Sequence, residues 1–327
     1  MYNNKEMSQL DKVLQGDVLA AAQLIRGLED DVPEAVAELE QIYFNTGHAY
    51  IVGITGAPGV GKSTLLGALV GAFRKRELKV GVVAVDPTSP FSGGAILGDR
   101  IRMQKHFLDE GVFIRSMATR GKFGGLTRST ADAIVVLDAM GKDVIIVETV
   151  GVGQDEVDIV HSAHTTVLVT VPGMGDDIQA IKAGLMEIGD IFVVNKADRE
   201  GVNKTLRELR SMLQMSEQRY QAEGWTPPVV ATVAAQDQGV DELYQTILGH
   251  RNHLLEHAKE RLKKREEIRV KNQILDLLKE RLIETALDRL GGMQALDGVA
   301  EEIVARKKDP YGVSSELVEI LLGGAAP

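Results

Sequence analysis

Three short elements carry residue types that act together on a nucleotide. Gly56-Ala57-Pro58-Gly59-Val60-Gly61-Lys62-Ser63-Thr64 fits G-x-x-x-x-G-K-[ST], the pattern of a phosphate-binding loop. Its glycines let backbone N–H groups face an anion, and a following helix adds partial positive charge at its N-terminus. In that role Gly56, Ala57, Gly59, Val60, Gly61 and Thr64 form the cradle, Lys62 reaches the β- and γ-phosphates, and the Ser63 hydroxyl binds Mg²⁺. A glycine-rich turn without a ligand is the plainer reading, and the strand-like and helix-like flanks count against it. In Asp143-Val144-Ile145-Ile146-Val147-Glu148-Thr149-Val150-Gly151 an apolar run ends in an acid, with glycine three residues on. That is the place of D-x-x-G in GTPases, with Glu148 for Asp. The acid orients a Mg²⁺-bound water, and the Gly151 N–H senses the γ-phosphate and releases a switch on hydrolysis. Finally, Asn195-Lys196-Ala197-Asp198 follows the apolar run Ile191-Phe192-Val193-Val194. The Asp198 carboxylate accepts from the ring N–H and exocyclic amino group of guanine, a donor pair adenine lacks. Asn195 braces the site and the Lys196 stem packs on the base. Together the three elements select GTP over ATP.

Other candidates are weaker. Asp86 ends the apolar run Lys79–Val85, at the strand end where parallel sheets bind ligands; it suits Mg²⁺ or merely starts an Asp-Pro turn. Asp99 is a further carboxylate for the metal. Arg100 and Arg102 suit phosphate charge, with plain solvation the commoner fate. Gln154 positions water or is a solvated loop residue. Asp176 and Asp177 suit a helix N-terminus. Val233-Ala234 stands where many GTPases carry Ser-Ala. The backbone contact to the guanine oxygen survives that change, whereas a serine hydroxyl does not. His161 and His164 read as ordinary helix-end histidines, and His250, His253 and His257 as a solvated helix face.

These residues need elements to hold them. Tyr50–Thr55 reads as a buried strand and Leu65–Phe73 as a helix, so the glycine loop sits between strand and helix as it must. Further strands are expected at 79–85, 111–117, 143–148, 165–171, 191–194 and 229–234, with a helix at 130–140. Alternation of strand and helix predicts an α/β P-loop NTPase with a mostly parallel central sheet flanked by helices. Residues 8–44 read as helices with a break at Asp30–Pro33, a collar on the nucleotide domain. The domains expected are an N-terminal helical extension (1–48), a GTPase domain (49–249) and a C-terminal helical arm (250–327). Leu254, Leu255, Leu262, Ile268, Ile274, Leu275, Leu278 and Leu282 form a narrow apolar stripe between charges on a long helix, which predicts a dimer contact.

Composition sets bounds. The chain has 327 residues, 44% hydrophobic, with no cysteine and a net charge of −10. Disulfides and thiolate metal sites are excluded, and a cytoplasmic protein is expected. The acidic balance argues against nucleic acid. No apolar run approaches the roughly 18 residues of a membrane span, and the polar start predicts no secretory leader.

The phosphate loop Gly56–Thr64 and Glu148-Thr149-Val150-Gly151-Val152-Gly153-Gln154, together with Asp86-Pro87-Thr88-Ser89, Arg115-Ser116-Met117-Ala118-Thr119-Arg120-Gly121, Pro172-Gly173-Met174-Gly175-Asp176-Asp177 and Asp309-Pro310-Tyr311, resemble the MeaB/ArgK/MMAA group of P-loop metallochaperone-type GTPases over nearly the whole chain. The resemblance implies a homodimeric, Mg²⁺-dependent GTPase that cycles between GTP and GDP. Such a protein gates adenosylcobalamin delivery from an adenosyltransferase to an acyl-CoA mutase, chiefly methylmalonyl-CoA mutase, and protects or reactivates that mutase, which accelerates hydrolysis. It implies that Asp86, Asp99 and Glu148 surround Mg²⁺, and that Asp176 and Lys182 belong to a third switch loop. Val233 departs from the family's usual Ser. The alternatives are a GTPase that inserts metal into an enzyme, disfavoured by the missing cysteines, and a kinase in basic amino-acid transport, disfavoured by the guanine element.

Overall fold

The computed structural model describes residues 7–86, 104–118, 125–149, 163–173 and 189–321. The strands are β1 (Tyr50–Thr55), β2 (Val80–Asp86), β3 (Val112–Ala118), β4 (Val144–Glu148), β5 (Thr165–Thr170), β6 (Ile191–Val194) and β7 (Val229–Ala231). Among the described residues they form one sheet in the order β3-β2-β4-β1-β5-β6-β7, every neighbouring pair parallel. Parallel sheets need cover on both faces, so their strands are apolar throughout, and β1, β4, β5 and β6 are wholly buried.

Alternation along each strand splits the core in two. Val52, Ile54, Val82 and Ile146 pack under α4 (Lys62–Arg74) and α8 (Val240–His257), among Leu65, Leu69, Phe73 and Tyr244. Ile51, Val83, Ile145 and Val147 face the other way, onto α1 (Gln9–Leu14), α2 (Val18–Glu29), α3 (Pro33–Ile42) and α5 (Gly125–Ala139). The N-terminal helices therefore cover one face of the sheet, as the collar reading expects. Beside β6, α6 (Val202–Met215) and α7 (Glu217–Glu223) close the sheet around Phe192, Leu209 and Tyr220.

Several boundaries differ from the sequence reading. The first helix breaks at Gly16, whose φ is 85°, and Asp17 caps α2 by accepting from Ala20 N at 2.7 Å. α5 begins at Gly125, inside what reads as a glycine-rich loop. The last strand stops at Ala231 rather than Ala234, because the chain turns back through a Val233–Gln238 bridge. The long C-terminal helix is broken at Ala258 (φ −131°), giving α8 and then α9 (Lys259–Leu290).

The histidines are the clearest correction. His161 lies outside the described residues; His164 stands just before β5 and is built into the sheet, its Nδ1 accepting from Ile51 N at 3.1 Å. His250 is not solvated. It shares the buried side of α8 with Ile247 and Leu254, is 2% exposed, and bonds Thr165 Oγ1 through Nδ1 at 2.7 Å. The Trp225 ring lies 4.7 Å from it, centre to centre.

Burial pushes both imidazoles down to about 4, in each case with Arg265 adding to the effect. The unfolded chain binds these protons near pH 6.5, so stability is complete above that pH and is lost as pH falls from 6.5 toward 4. At pH 5.5 the expected loss is roughly 1.4 kcal/mol per histidine. A urea midpoint that falls between pH 7.5 and 5.5 checks this, and an unchanged midpoint contradicts it.

The chain divides into two compact units, Met1–Arg269 and Val270–Pro327. The second holds the rest of α9, then α10 (Met293–Val304) and α11 (Pro310–Leu321). No residue of α9 is buried, and Ile274, Leu275, Leu278, Leu282 and Ile283 are each about half exposed. No described helix is long and apolar enough to cross a membrane.

Candidate nucleotide site

β1 delivers the glycine loop, and three of its glycines adopt positive φ: Gly56 (142°), Gly59 (80°) and Gly61 (95°). Gly56 is irreplaceable on space alone, since a Cβ there would stand 2.1 Å from the Val169 carbonyl oxygen. Gly61 caps α4, and Lys62 and Ser63 open it, both buried.

The loop's carbonyls are held from outside. Lys62 Nζ donates to Gly56 O at 2.6 Å and Ala57 O at 3.2 Å. Lys196 Nζ donates to Gly59 O at 2.6 Å, and Asn195 Nδ2 donates to Val60 O at 2.9 Å. A trans peptide points its N–H away from its carbonyl, so these bonds turn the N–H groups of Ala57 and Gly61 to the opposite side. The guanine element therefore grips the phosphate loop directly.

Ser63 Oγ donates to Glu148 Oε1 at 2.8 Å, both groups buried. A hydroxyl and a carboxylate meeting beside a phosphate loop make an oxygen donor set of the kind hard cations such as Mg²⁺ take. Glu148 pairs in register with Ala84 of β2, so Asp86, which ends β2, lies two residues beyond that pair at the same edge of the sheet. Thr149 Oγ1 donates to Thr55 Oγ1 at 3.0 Å, tying the root of the glycine loop to the residue after Glu148. Asp99, Gly151, Gln154, Asp176 and Lys182, with Arg100 and Arg102, lie outside the described residues.

β6 delivers the guanine element. Asn195 is 2% exposed, and its Oδ1 accepts from Thr232 Oγ1 at 3.1 Å and from Ala234 N at 3.2 Å. Lys196 stands in the left-handed region at φ 54°, a conformation costing about 1–2 kcal/mol outside glycine, and from there its amine reaches Gly59. Asp198 follows at the exposed rim. Val233 and Ala234 line the turn that leaves β7, and Gly239 closes that turn at φ 73°, with the Ala231 carbonyl oxygen 2.1 Å from where a Cβ would lie.

Thr232 is the residue the sequence reading missed. Position 233 lacks a serine hydroxyl, yet the Thr232 hydroxyl one residue earlier holds Asn195. A β-branched threonine ending an apolar strand was the available signal. Thr232→Val is expected to weaken GTP binding roughly fivefold, from about 1 kcal/mol for one lost hydrogen bond, with kcat unchanged. Titration with a fluorescent guanine nucleotide measures it, and equal affinity would show that the hydroxyl does not brace Asn195.

Comparison with known proteins fits this geometry. The family model described as Methylmalonyl Co-A mutase-associated GTPase MeaB matches residues 21–289. The chain is 51% identical over 321 residues to a protein of Pyrococcus abyssi (strain GE5 / Orsay) named as a GTPase, covering 96% of both chains. It is 35% identical over 256 residues to GTPase ArgK of Escherichia coli (strain K12), covering 76% of this chain and 77% of that one. A crystal structure titled LAO/AO transport system kinase superposes with a TM-score of 0.66 at 26% identity, covering 96% of each chain.

Proposed function

The chain belongs to the family of methylmalonyl Co-A mutase-associated GTPases, MeaB, and on that premise we propose that this P-loop GTPase is a switch that gates adenosylcobalamin delivery to a cobalamin-dependent acyl-CoA mutase and protects or reactivates it. The nucleotide half of the reading is carried by one observation: Asn195 and Lys196 bond the carbonyls of Val60 and Gly59. Base recognition and phosphate binding then share one rigid unit.

In this reading GTP enters with its phosphates against the N-terminus of α4. Lys62 exchanges its bonds to Gly56 and Ala57 for phosphate oxygens, and its charge offsets the negative charge that builds up during transfer. Ser63 and Glu148 hold Mg²⁺, with Asp86 and Asp99 as further carboxylates; the metal, when bound, neutralises phosphate charge. Gln154 is the candidate for orienting water. Asp198 selects guanine at the rim, and Val233 and Ala234 face its carbonyl edge. Gly151, Asp176 and Lys182 report the state of the γ-phosphate. The half-exposed leucines and isoleucines of α9 suit a second copy of the chain, so the proposed form is a homodimer.

The partner half rests on the family match. Its test is a pull-down with a cobalamin-dependent acyl-CoA mutase, followed by GTP turnover with and without that mutase. Nucleotide-dependent binding and accelerated turnover are expected. Absence of both would leave the GTPase without its proposed client. The likeness to the LAO/AO transport system kinase structure favours a second reading, a transport-linked kinase. Transfer of phosphate from ATP to a protein acceptor would support it, whereas the Asn195–Asp198 element supports GTP.

A further inference from the structure

At the edge of the sheet opposite the phosphate loop, a buried carboxylate takes no part in the nucleotide chemistry. Asp190 stands just before β6, and its side chain is 8% exposed. Its Oδ2 accepts from Thr166 N at 2.9 Å and from Arg265 Nη1 at 3.2 Å, and its Oδ1 accepts from Arg265 Nη2 at 2.9 Å. His250 Nε2 lies 3.6 Å from the same Oδ1, and Trp225 Nε1 donates to the Asp190 carbonyl oxygen at 2.9 Å. Arg265 Nη1 also donates to the His164 carbonyl oxygen at 3.1 Å. Arg265 itself belongs to the first turns of α9.

The positions along the chain give this cluster its interest. His164 follows residues 150–162, which carry Gly151 and Gln154. Asp190 follows residues 174–188, which carry Asp176 and Lys182. A single guanidinium thus holds both points at which these segments re-enter the sheet. Its planar fork is rigid and its bonds are directional, so a displacement of either point of the order of an ångström breaks part of the set. A salt bridge serving only to hold α9 down would need one of the two anchors.

We propose that Arg265 is a positioning residue that carries the nucleotide state from the two segments ending at His164 and Asp190 into the first turns of α9. This rests on the switch reading of Gly151, Asp176 and Lys182 given above. In that role the clamp lets hydrolysis at one edge of the sheet alter the start of the C-terminal helix at the other, without a contact to the nucleotide.

Hydrogen exchange of the full chain tests it, comparing GDP with a non-hydrolysable GTP analogue in the native protein, Arg265→Met and Arg265→Lys. In the native protein, exchange is expected to differ between the two nucleotides both at 150–188 and at 259–268. Arg265→Met is expected to retain the difference at 150–188, lose it at 259–268, and keep GTP affinity and basal turnover within about twofold. Arg265→Lys keeps the charge without the fork and is expected to retain only part of the response. If Arg265→Met fails to fold, Asp190→Asn, which leaves an acceptor for Thr166 N, replaces it with the same expectation. A response at 259–268 that persists in these variants, or that is absent from the native protein while 150–188 responds, overturns the clamp. No response at 150–188 overturns the switch reading, and the clamp with it.

Discussion

Lys62→Ala is expected to lower GTP turnover on the order of 10²–10³-fold, the cost of removing one group that stabilises developing charge. The lysine is 7% exposed and bonds the Gly56 and Ala57 carbonyls across the turn of the glycine loop. Ground-state binding should fall less than turnover, because the transferring phosphoryl group is where charge changes most. Single-turnover rates at saturating GTP, with circular dichroism to confirm the fold, measure the effect. A rate within about threefold of the native protein would remove Lys62 from the chemistry.

Asp198→Ala is expected to weaken GTP binding on the order of 10²-fold or more with no gain for ATP. Two hydrogen bonds to a carboxylate contribute about 1.5–3 kcal/mol each, and about 1.4 kcal/mol is tenfold in affinity. Asp198 is exposed at the end of the β6 turn, so its truncation leaves no buried group unpaired and the fold should stand. Asp198→Asn sharpens the test, since an amide can donate to the C2 carbonyl of xanthine where the carboxylate accepted from the guanine amino group. Preference should move from GTP toward xanthosine triphosphate. Calorimetric titration with the three nucleotides decides it, and unchanged GTP affinity in both variants would sink the guanine assignment.

Much of the site was legible because its chemistry is local in sequence. The glycines of 56–61 stand where φ turns positive, the lysine and hydroxyl follow at the helix start, and Asn195–Asp198 leaves a strand of apolar residues. Each motif carried its own flanks, and the flanks fixed the order of strand, loop and helix. Of the apolar stripe expected on one long helix, Ile274, Leu275, Leu278 and Leu282 are about half exposed on α9, whereas Leu254 is buried on α8. The histidines were misread because a helical repeat tells which residues share a face but not what that face meets. His250 recurs with Ile247 and Leu254, and in the sequence it looks the same whether solvent or Trp225 and Thr165 lie opposite.

By itself, then, the sequence determined the local backbone geometry and the chemical identity of the groups: a glycine loop between strand and helix, a carboxylate at a strand end and an aspartate at the exposed rim. Tertiary structure alone decided which groups meet. The Ser63–Glu148 contact spans 85 positions, Asn195–Val60 spans 135, and Arg265 reaches Asp190 across 75. Such pairings follow from strand order and register in a parallel sheet, where each crossover brings together ends that the chain keeps far apart. No spacing rule along the sequence records them.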